Sequence, residues 1–171
     1  RTSRGLGDVY KRQNFKRFFS TITLQFLLIF SYDEKVMEER LKRFNEEFFG
    51  PSMEFFKLKY ESIEKETIIF SCEFNEKCGN PMGFVQGGMI SAALDDATSA
   101  AMISGYQEKK APMTTDLHVL FHRPLALGKA TMKVNLIKLG ARSATSEGRI
   151  FNLEGKLVAT LMHTAQPVDV A

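Results

Sequence analysis

The hydrophobic positions between residues 33 and 48 recur at the period of a helix. Glu and Lys separate them, so the spacing predicts an amphipathic helix over 33–48. Gly50-Pro51 follows directly and is expected to stop this helix. The apolar positions are Val36, Met37, Leu41, Phe44 and Phe48.

Six later stretches have the pattern of β-strands. In the second of them Ile68, Phe70 and Cys72 occupy every other position, which is the period of a strand. Glycines separate the last strands, and residues 152–155 predict a hairpin turn. The predicted strands are 53–61, 66–73, 113–122, 128–138, 142–152 and 156–166.

A long apolar run lies between the second and third predicted strands. It extends from Gly88 to Gly105 without an internal Pro or Gly and predicts a helix of about four to five turns that stops at Gly105. Most of its side chains are small, so we expect a buried helix with other backbone close around it. Asp95 and Asp96 lie in its middle, although carboxylates are rarely buried unless they are paired or functional.

The order of these elements predicts an α+β fold. A helix and two strands precede the long helix, and four strands follow it. A curved antiparallel β-sheet wrapped around the long central helix is the economical packing for this order. At 171 residues the chain is large enough for one domain with its own core, which we place at residues 33–171.

The excess positive charge lies before this predicted domain. Residues 1–13 carry four basic residues against Asp8, a net charge of +3 that equals the net charge of the whole chain. The rest is neutral, which argues against a nucleic-acid partner, because such a partner requires a basic face. We interpret residues 1–13 as a non-native extension and exclude residues 1–32 from the domain. Residues 14–32 are apolar but too short and interrupted for a secure membrane span, so no membrane partner is expected; targeting or anchoring is the alternative.

Neither the cysteines nor the histidines form a recognisable metal-binding pattern. Cys72 and Cys78 lack the C-x-x-C spacing and are expected to be reduced structural thiols, which fits a cytoplasmic compartment. His118 and His122 would share one strand face with Asp116. No further ligand cluster accompanies them, so we expect no metal.

The start of the central helix resembles a known family. Residues 80–88 have the pattern N-x-x-G-x-x-Q-G-G, and Asp95 follows Gln86 by nine residues. This pattern resembles the PaaI-type acyl-CoA thioesterases of the hot-dog fold, most of which have His in place of Gln86. The stretches 115–124, 138–142 and 152–159 match as well, and the resemblance extends roughly over residues 35–167.

The resemblance implies hydrolysis of an acyl- or aryl-CoA thioester to the free acid and CoA. Coenzyme A is part of the substrate, and no separate cofactor is expected. Gly87 and Gly88 open the helix, where backbone N–H groups are unpaired and the helix dipole is positive. Glycine lets a substrate approach closely, and a carbonyl oxygen bound there would be stabilised as in an oxyanion hole. The alternative is that the two glycines only form a tight turn.

Three polar side chains take roles from the same resemblance. Asp95 corresponds to an aspartate that either activates water or attacks the carbonyl, with a buried polar contact as the alternative. Asn80 corresponds to an Asn that holds the water or orients the acid; alternatively it only forms the turn before Pro81. Gln86 can bind the thioester carbonyl or cap the helix, but it cannot carry a proton at neutral pH. Asp96 points about 100° away around the helix and is expected to be structural or solvated.

The spacing of Gly87 and Asp95 predicts an oligomer. They are eight residues apart, about 12 Å along one helix, so one carbonyl group cannot contact both. They can serve one substrate only if Asp95 comes from a partner subunit with an antiparallel helix. We therefore expect a two-fold homodimer with two shared sites, assembled further into a homotetramer as a dimer of dimers.

Four more residues are candidate substrate contacts. Thr114 or Thr115 lies where related enzymes place a hydroxyl beside the water. Arg123 and Arg142 can meet the phosphates of coenzyme A, with solvated surface positions as the alternative. Two other functions are weighed: a non-catalytic acyl-CoA-binding hot-dog protein, which would normally carry a DNA-binding segment, and a hot-dog hydratase or dehydratase, which would require His at Gln86.

Overall fold

The computed structural model describes residues 34–46 and 50–170. The helices of this part are α1 (Glu34–Phe44), α2 (Pro51–Phe55) and α3 (Gly87–Gly105), with a short 3₁₀ turn at Glu76–Cys78. The strands are β1 (Lys59–Glu64), β2 (Thr67–Phe74), β3 (Lys110–Phe121), β4 (Gly128–Leu139), β5 (Ala144–Phe151) and β6 (Leu157–Asp169). The predictions for residues 1–32 and Phe48 lie outside the described residues.

The six strands form one antiparallel sheet in the order β1-β2-β4-β5-β6-β3. The long helix α3 packs against β2, β3, β4, β5 and β6, while β1 and β3 are the two edges of the sheet. The predicted architecture, a central helix wrapped by an antiparallel sheet, is confirmed. The predicted hairpin is also present: Gly155 has a φ of +73°, and the side-chain oxygen of Asn152 accepts the N–H groups of Glu154 and Lys156.

Small residues line the contact between α3 and the sheet. Ala93, Ala97 and Ala101 are fully buried on the helix. On β5, a Cβ added to Gly148 would lie 3.0 Å from Cγ2 of Thr98 and 3.2 Å from Leu94. The composition of the helix is therefore explained by this close approach to backbone, as predicted.

The predicted strand over 53–61 is wrong in its first half. Pro51 begins the helix α2, because its fixed φ suits the first helical position; the helix before it does not extend to Gly50-Pro51 as predicted but ends at Phe44. Phe56 and Leu58 are buried, but they lie in a turn in which Lys57 has a φ of +48°. Alternating burial there results from this turn, and the strand starts only at Lys59.

The two cysteines have the character expected of reduced structural thiols. Cys72 and Cys78 are free and buried, and burial raises the pKa of the Cys72 thiol to about 12, which makes it unreactive. Among the described helices, none has the length and hydropathy needed to span a bilayer.

Candidate active site

A tight turn places the start of α3. The side-chain oxygen of Asn80 accepts the N–H groups of Met82 at 2.9 Å and Phe84 at 3.1 Å. The N–H group of Asn80 donates to the carbonyl of Phe84 at 2.7 Å. The carboxamide oxygen of Asn80 is thus used in the turn, which is the second of the two roles expected for this residue.

Gln86 caps α3. Its Oε1 accepts the N–H of Met89 at 3.1 Å, and its own N–H donates to the carbonyl of Cys78 at 2.8 Å. Of the two roles expected for Gln86, the structure contains the helix cap. In the described part of the chain, the N–H groups of Gly87 and Gly88 have no hydrogen-bond partner, as expected for the first turn of a helix.

The ring of Phe121 covers the start of α3. A Cβ added to Gly87 would lie 3.2 Å from Cζ of Phe121, so only glycine leaves this ring undisturbed. Phe121 is itself 52% exposed. A group that binds the N–H of Gly87 would therefore meet an aromatic wall. Reasoning from sequence did not single out Phe121, which lies at the end of β3, 34 residues beyond Gly87.

Asp95 lies where α3 faces β3 and β6. Its side chain is 34% exposed. Its Oδ1 is 3.4 Å from Oγ1 of Thr114 and 3.6 Å from Nδ1 of His163. Neighbouring strands supply these two groups, because β3 and β6 pair with Thr114 opposite Ala165. A half-exposed carboxylate beside a hydroxyl has the contacts required to hold and deprotonate a water molecule.

His163 is a member of this cluster that sequence reasoning missed. It is fully buried, with Nδ1 2.8 Å from Oγ1 of Thr98 and Nε2 3.0 Å from Oγ1 of Thr114. Burial lowers the pKa of the imidazole, against the opposing effect of Asp95, so His163 is neutral at pH 7. The alternation of β6, with Leu161 buried two residues earlier, was a signal that this position faces inward.

Comparison with known proteins bears on this arrangement. Residues 82–159 match the family model of the thioesterase superfamily. A candidate esterase of Saccharolobus solfataricus is 27% identical over 110 residues, which cover 64% of this chain and 73% of that protein. The predicted resemblance to a thioesterase is confirmed.

Solved structures with this fold have been assigned to several thioesterases and related proteins. The PaaI protein from the phenylacetic acid degradation operon of Escherichia coli has a TM-score of 0.68 and 15% identity, covering 79% of this chain and 95% of its own. A Streptococcus mutans protein bound to acetyl-CoA has a TM-score of 0.60 and 19% identity, covering 72% and 93%. The hot-dog fold is thus confirmed, and the match to the thioesterase superfamily supports the expected class of thioester hydrolase.

The second carboxylate of α3, Asp96, faces α2 instead of β3. Ser52 donates a hydrogen bond to its Oδ1 at 3.1 Å. Its Oδ2 is buried and has no hydrogen-bond partner among the described residues. The pKa of Asp96 is raised to about 6. Burial has the largest effect and raises the pKa; the hydrogen bond from Ser52 lowers it, and the charge of Asp95 raises it. The two adjacent carboxylates therefore have different surroundings, as the helical spacing predicts.

The remaining predicted contacts lie apart from this cluster. Thr115 donates to the carbonyl of Thr164 at 3.0 Å, because β3 is irregular between Thr114 and Asp116; Thr114 is thus the hydroxyl beside Asp95. The Arg123 guanidinium donates to a carbonyl at the start of β6. Arg142 is exposed in the turn between β4 and β5.

Within the described ranges, no group of three or more His, Cys, Asp or Glu side chains has an arrangement that would hold a metal ion. His122 instead contacts a hydroxyl, with Nε2 3.1 Å from Oγ1 of Thr160.

Proposed function

We propose that this protein is an acyl-CoA thioesterase that hydrolyses an acyl- or aryl-CoA thioester to the free acid and CoA. The observation that carries the proposal is the half-exposed Asp95 carboxylate, 3.4 Å from the Thr114 hydroxyl on a helix whose first N–H groups are unpaired. The acetyl-CoA bound by the Streptococcus mutans protein of similar fold supports a CoA thioester as the substrate.

The N–H of Gly87 polarises the thioester carbonyl in this proposal. The side chain of Gln86 caps the helix by accepting the N–H of Met89. It therefore holds the start of the helix in place while the N–H of Gly87 remains free. Negative charge that develops on the carbonyl oxygen is stabilised there by the N–H group and by the helix dipole. Gly88 keeps the adjacent surface open, since it is exposed and lacks a side chain.

Asp95 supplies the base or the nucleophile. As a base, its carboxylate takes a proton from water while the water oxygen bonds to the acyl carbon; the C–S bond then breaks, and the CoA thiolate leaves and receives a proton. As a nucleophile, a carboxylate oxygen bonds to the acyl carbon, and water hydrolyses the resulting anhydride. Both routes need the carboxylate ionised and accessible.

A second copy of the chain completes each site in this proposal. Asp95 and Gly87 are about 12 Å apart on one helix, so one site can contain both groups only if it takes each from a different subunit. The edge strand β3 exposes Met113, Leu120 and Phe121, each by more than half. An exposed edge with apolar side chains is a surface on which another strand can pair, which supports a homodimer and, beyond it, a dimer of dimers.

Arg123 and Arg142 are proposed contacts for the phosphates of coenzyme A, and the cytoplasm is the proposed location. Both arginines are exposed in the isolated chain, as a phosphate contact requires. The free buried thiols support a reducing compartment.

The decisive experiment is a panel of acyl- and aryl-CoA thioesters assayed by release of the free thiol. Asp95→Asn should lower turnover by about 10²- to 10⁴-fold, because it removes the base or nucleophile. Asp96→Asn is the matched control, the same change one residue further on the same helix, and should keep most of the activity.

Two results would contradict the proposal. Tight binding of CoA thioesters without turnover would identify a non-catalytic acyl-CoA-binding protein instead. Equal losses in the two variants, with both folded, would show that Asp95 is not the reacting carboxylate.

A further inference from the structure

A chain of hydrogen-bonded polar side chains runs behind Asp95, and the reaction described so far does not use its inner members. It consists of Thr98 on α3, His163 on β6 and Thr114 on β3, joined through both ring nitrogens of the imidazole. Thr98 and His163 are completely buried. Buried polar groups that are fully satisfied orient one another strongly, so the direction of each hydrogen bond in this chain matters.

The surroundings of Thr98 determine which ring nitrogen of His163 carries the proton. The Thr98 hydroxyl is 2.8 Å from the carbonyl of Leu94 and 3.0 Å from that of Asp95. Carbonyl oxygens only accept, so the single hydroxyl hydrogen of Thr98 goes to them. Its oxygen then accepts from Nδ1–H of His163 at 2.8 Å.

The carboxylate favours the same arrangement. Oδ1 of Asp95 is 3.6 Å from Nδ1 of His163, and a negative charge stabilises a proton on the nearer nitrogen. A neutral imidazole carries one proton, so Nε2 is a hydrogen-bond acceptor.

This tautomer determines the direction of the Thr114 hydroxyl. Nε2 of His163 is 3.0 Å from Oγ1 of Thr114, and it can only accept there. Thr114 therefore donates its single hydrogen to the imidazole at 3.0 Å and not across the longer 3.4 Å separation to Oδ1 of Asp95, and its lone pairs remain for other donors. With Oδ1 of Asp95 3.4 Å from the same oxygen, Thr114 and Asp95 form two adjacent acceptors.

We propose that His163 is a positioning residue: it holds the Thr114 hydroxyl as a hydrogen-bond acceptor beside Asp95, so that both groups orient the attacking water. A water molecule that donates one hydrogen to Asp95 and the other to Thr114 has its lone pairs directed away from both, toward an acyl carbon. Asp95 takes its proton as the water oxygen bonds to that carbon. The inference rests on the proposed thioesterase function, and it selects the base role of Asp95 over the nucleophile role.

His163→Leu tests the proposal, because it removes both hydrogen bonds while keeping a buried apolar side chain. Thr98 retains its carbonyl partners and the exposed Thr114 can bond to water, so no buried group is left unsatisfied and the variant should fold. Because Thr114 can then rotate, kcat should fall by about 10- to 100-fold with KM nearly unchanged. His163→Gln, whose carboxamide oxygen can replace Nε2, should recover part of this loss.

Coupling to Thr114 separates positioning from a purely structural role. In a Thr114→Val background, which has no hydroxyl to orient, His163→Leu should cause no further loss of kcat. The matched control is Ser146→Ala. Ser146 lies directly opposite His163 on β5, and its buried hydroxyl has no hydrogen-bond partner in the described part of the chain, so its removal should leave kcat unchanged.

Nitrogen NMR of the imidazole gives a test that does not depend on activity. At pH 7 the shifts should show a protonated Nδ1 and an unprotonated Nε2, and Thr114→Val should move the Nε2 resonance. A proton on Nε2, or full kcat in folded His163→Leu, would overturn the proposal.

If His163→Leu fails to fold, Thr98→Val is measured instead. This variant removes the acceptor for Nδ1–H of His163 and should also lower kcat. An unchanged kcat in Thr98→Val would count against the proposal. If the wild-type protein hydrolyses no thioester, the proposed function fails, while the NMR result still decides the direction of the hydrogen bonds.

Discussion

At the scale of single residues, the environments of Asp95 and Asp96 separate two carboxylates that are neighbours in the chain. Asp95 faces β3 and β6 and contacts a hydroxyl and an imidazole. Asp96 faces α2, where Ser52 supplies its hydrogen bond and burial raises its pKa. The same helix therefore carries one accessible carboxylate suited to chemistry and one that is costly to ionise.

The raised pKa of Asp96 predicts a pH-dependent stability. Its pKa is 3.8 when unperturbed and about 6 in the folded protein, so folding favours the protonated form. This contribution is fully present below pH 3.8 and is lost as the pH rises through about 6. Asp96→Asn keeps the hydrogen bond from Ser52 without the charge. It should be more stable than wild type at pH 8, on the order of 1 kcal/mol after allowance for solvent screening.

Thermal unfolding of both proteins measures this difference. The pH should range from about 3.5 to about 8, which spans the window defined by the two pKa values. The advantage of Asp96→Asn should shrink toward zero at the acid end. An advantage that is constant across the whole range would contradict the assignment of the raised pKa to Asp96.

At the scale of elements, α3 ends at Gly105, as predicted, but the role of this glycine is not the one expected. A glycine that stops a helix usually has the left-handed conformation, but the φ of Gly105 is not positive. The left-handed residues are Gln107 and Glu108, just beyond the helix, with φ values of 56° and 59°. A Cβ added to Gly105 would lie 2.4 Å from Cδ1 of Leu139 and 3.1 Å from Leu136. A side chain at position 105 would therefore have to displace the tip of Leu139 on β4.

Gly105→Ala should destabilise the protein by about 1 to 2 kcal/mol, because the added methyl group displaces Leu139. Urea unfolding measures the change, and thioester hydrolysis should be unaffected, since Gly105 lies at the opposite end of α3 from Gly87. Leu139→Val in the same chain should recover part of the loss. Increased stability would mean that the helix propensity of alanine outweighs the contact, and that the packing explanation is wrong.

At the scale of the whole molecule, the distance between Gly87 and Asp95 predicts complementation between two inactive variants. Asp95→Asn removes the reacting carboxylate. Asn80→Ala removes the side chain that closes the turn before Gly87, and its own inactivity is checked first. In a mixed dimer with shared sites, one site collects both changes and the other collects neither.

Refolding an equal mixture of the two variants should make about half of the dimers mixed, so activity should return to roughly a quarter of wild type. Pull-down through a tag on one variant shows whether mixed dimers have formed. Mixed dimers without activity would place the whole site within one subunit and remove the argument for a shared site.

The sequence by itself determined the features that depend on local periodicity and on backbone chemistry. Alternation located the strands, the absence of Pro and Gly located α3, and the pair Gly87-Gly88 indicated the free N–H groups at its start. Asp95 and Asp96 were separated by the rotation of a helix alone. Each of these follows from residues within a few positions of one another, where spacing translates directly into direction.

Tertiary structure alone decided which distant groups meet. His163 has the inward position of an apolar strand residue, and only the packing of α3 and β3 on β6 reveals the two hydroxyls that contact it. The irregularity of β3 turned Thr114 toward Asp95 and Thr115 away from it. Phe56 and Leu58 are both buried, so their spacing of two predicted a strand where the chain forms a turn. Such a spacing indicates which side chains are buried, but it does not determine the backbone conformation.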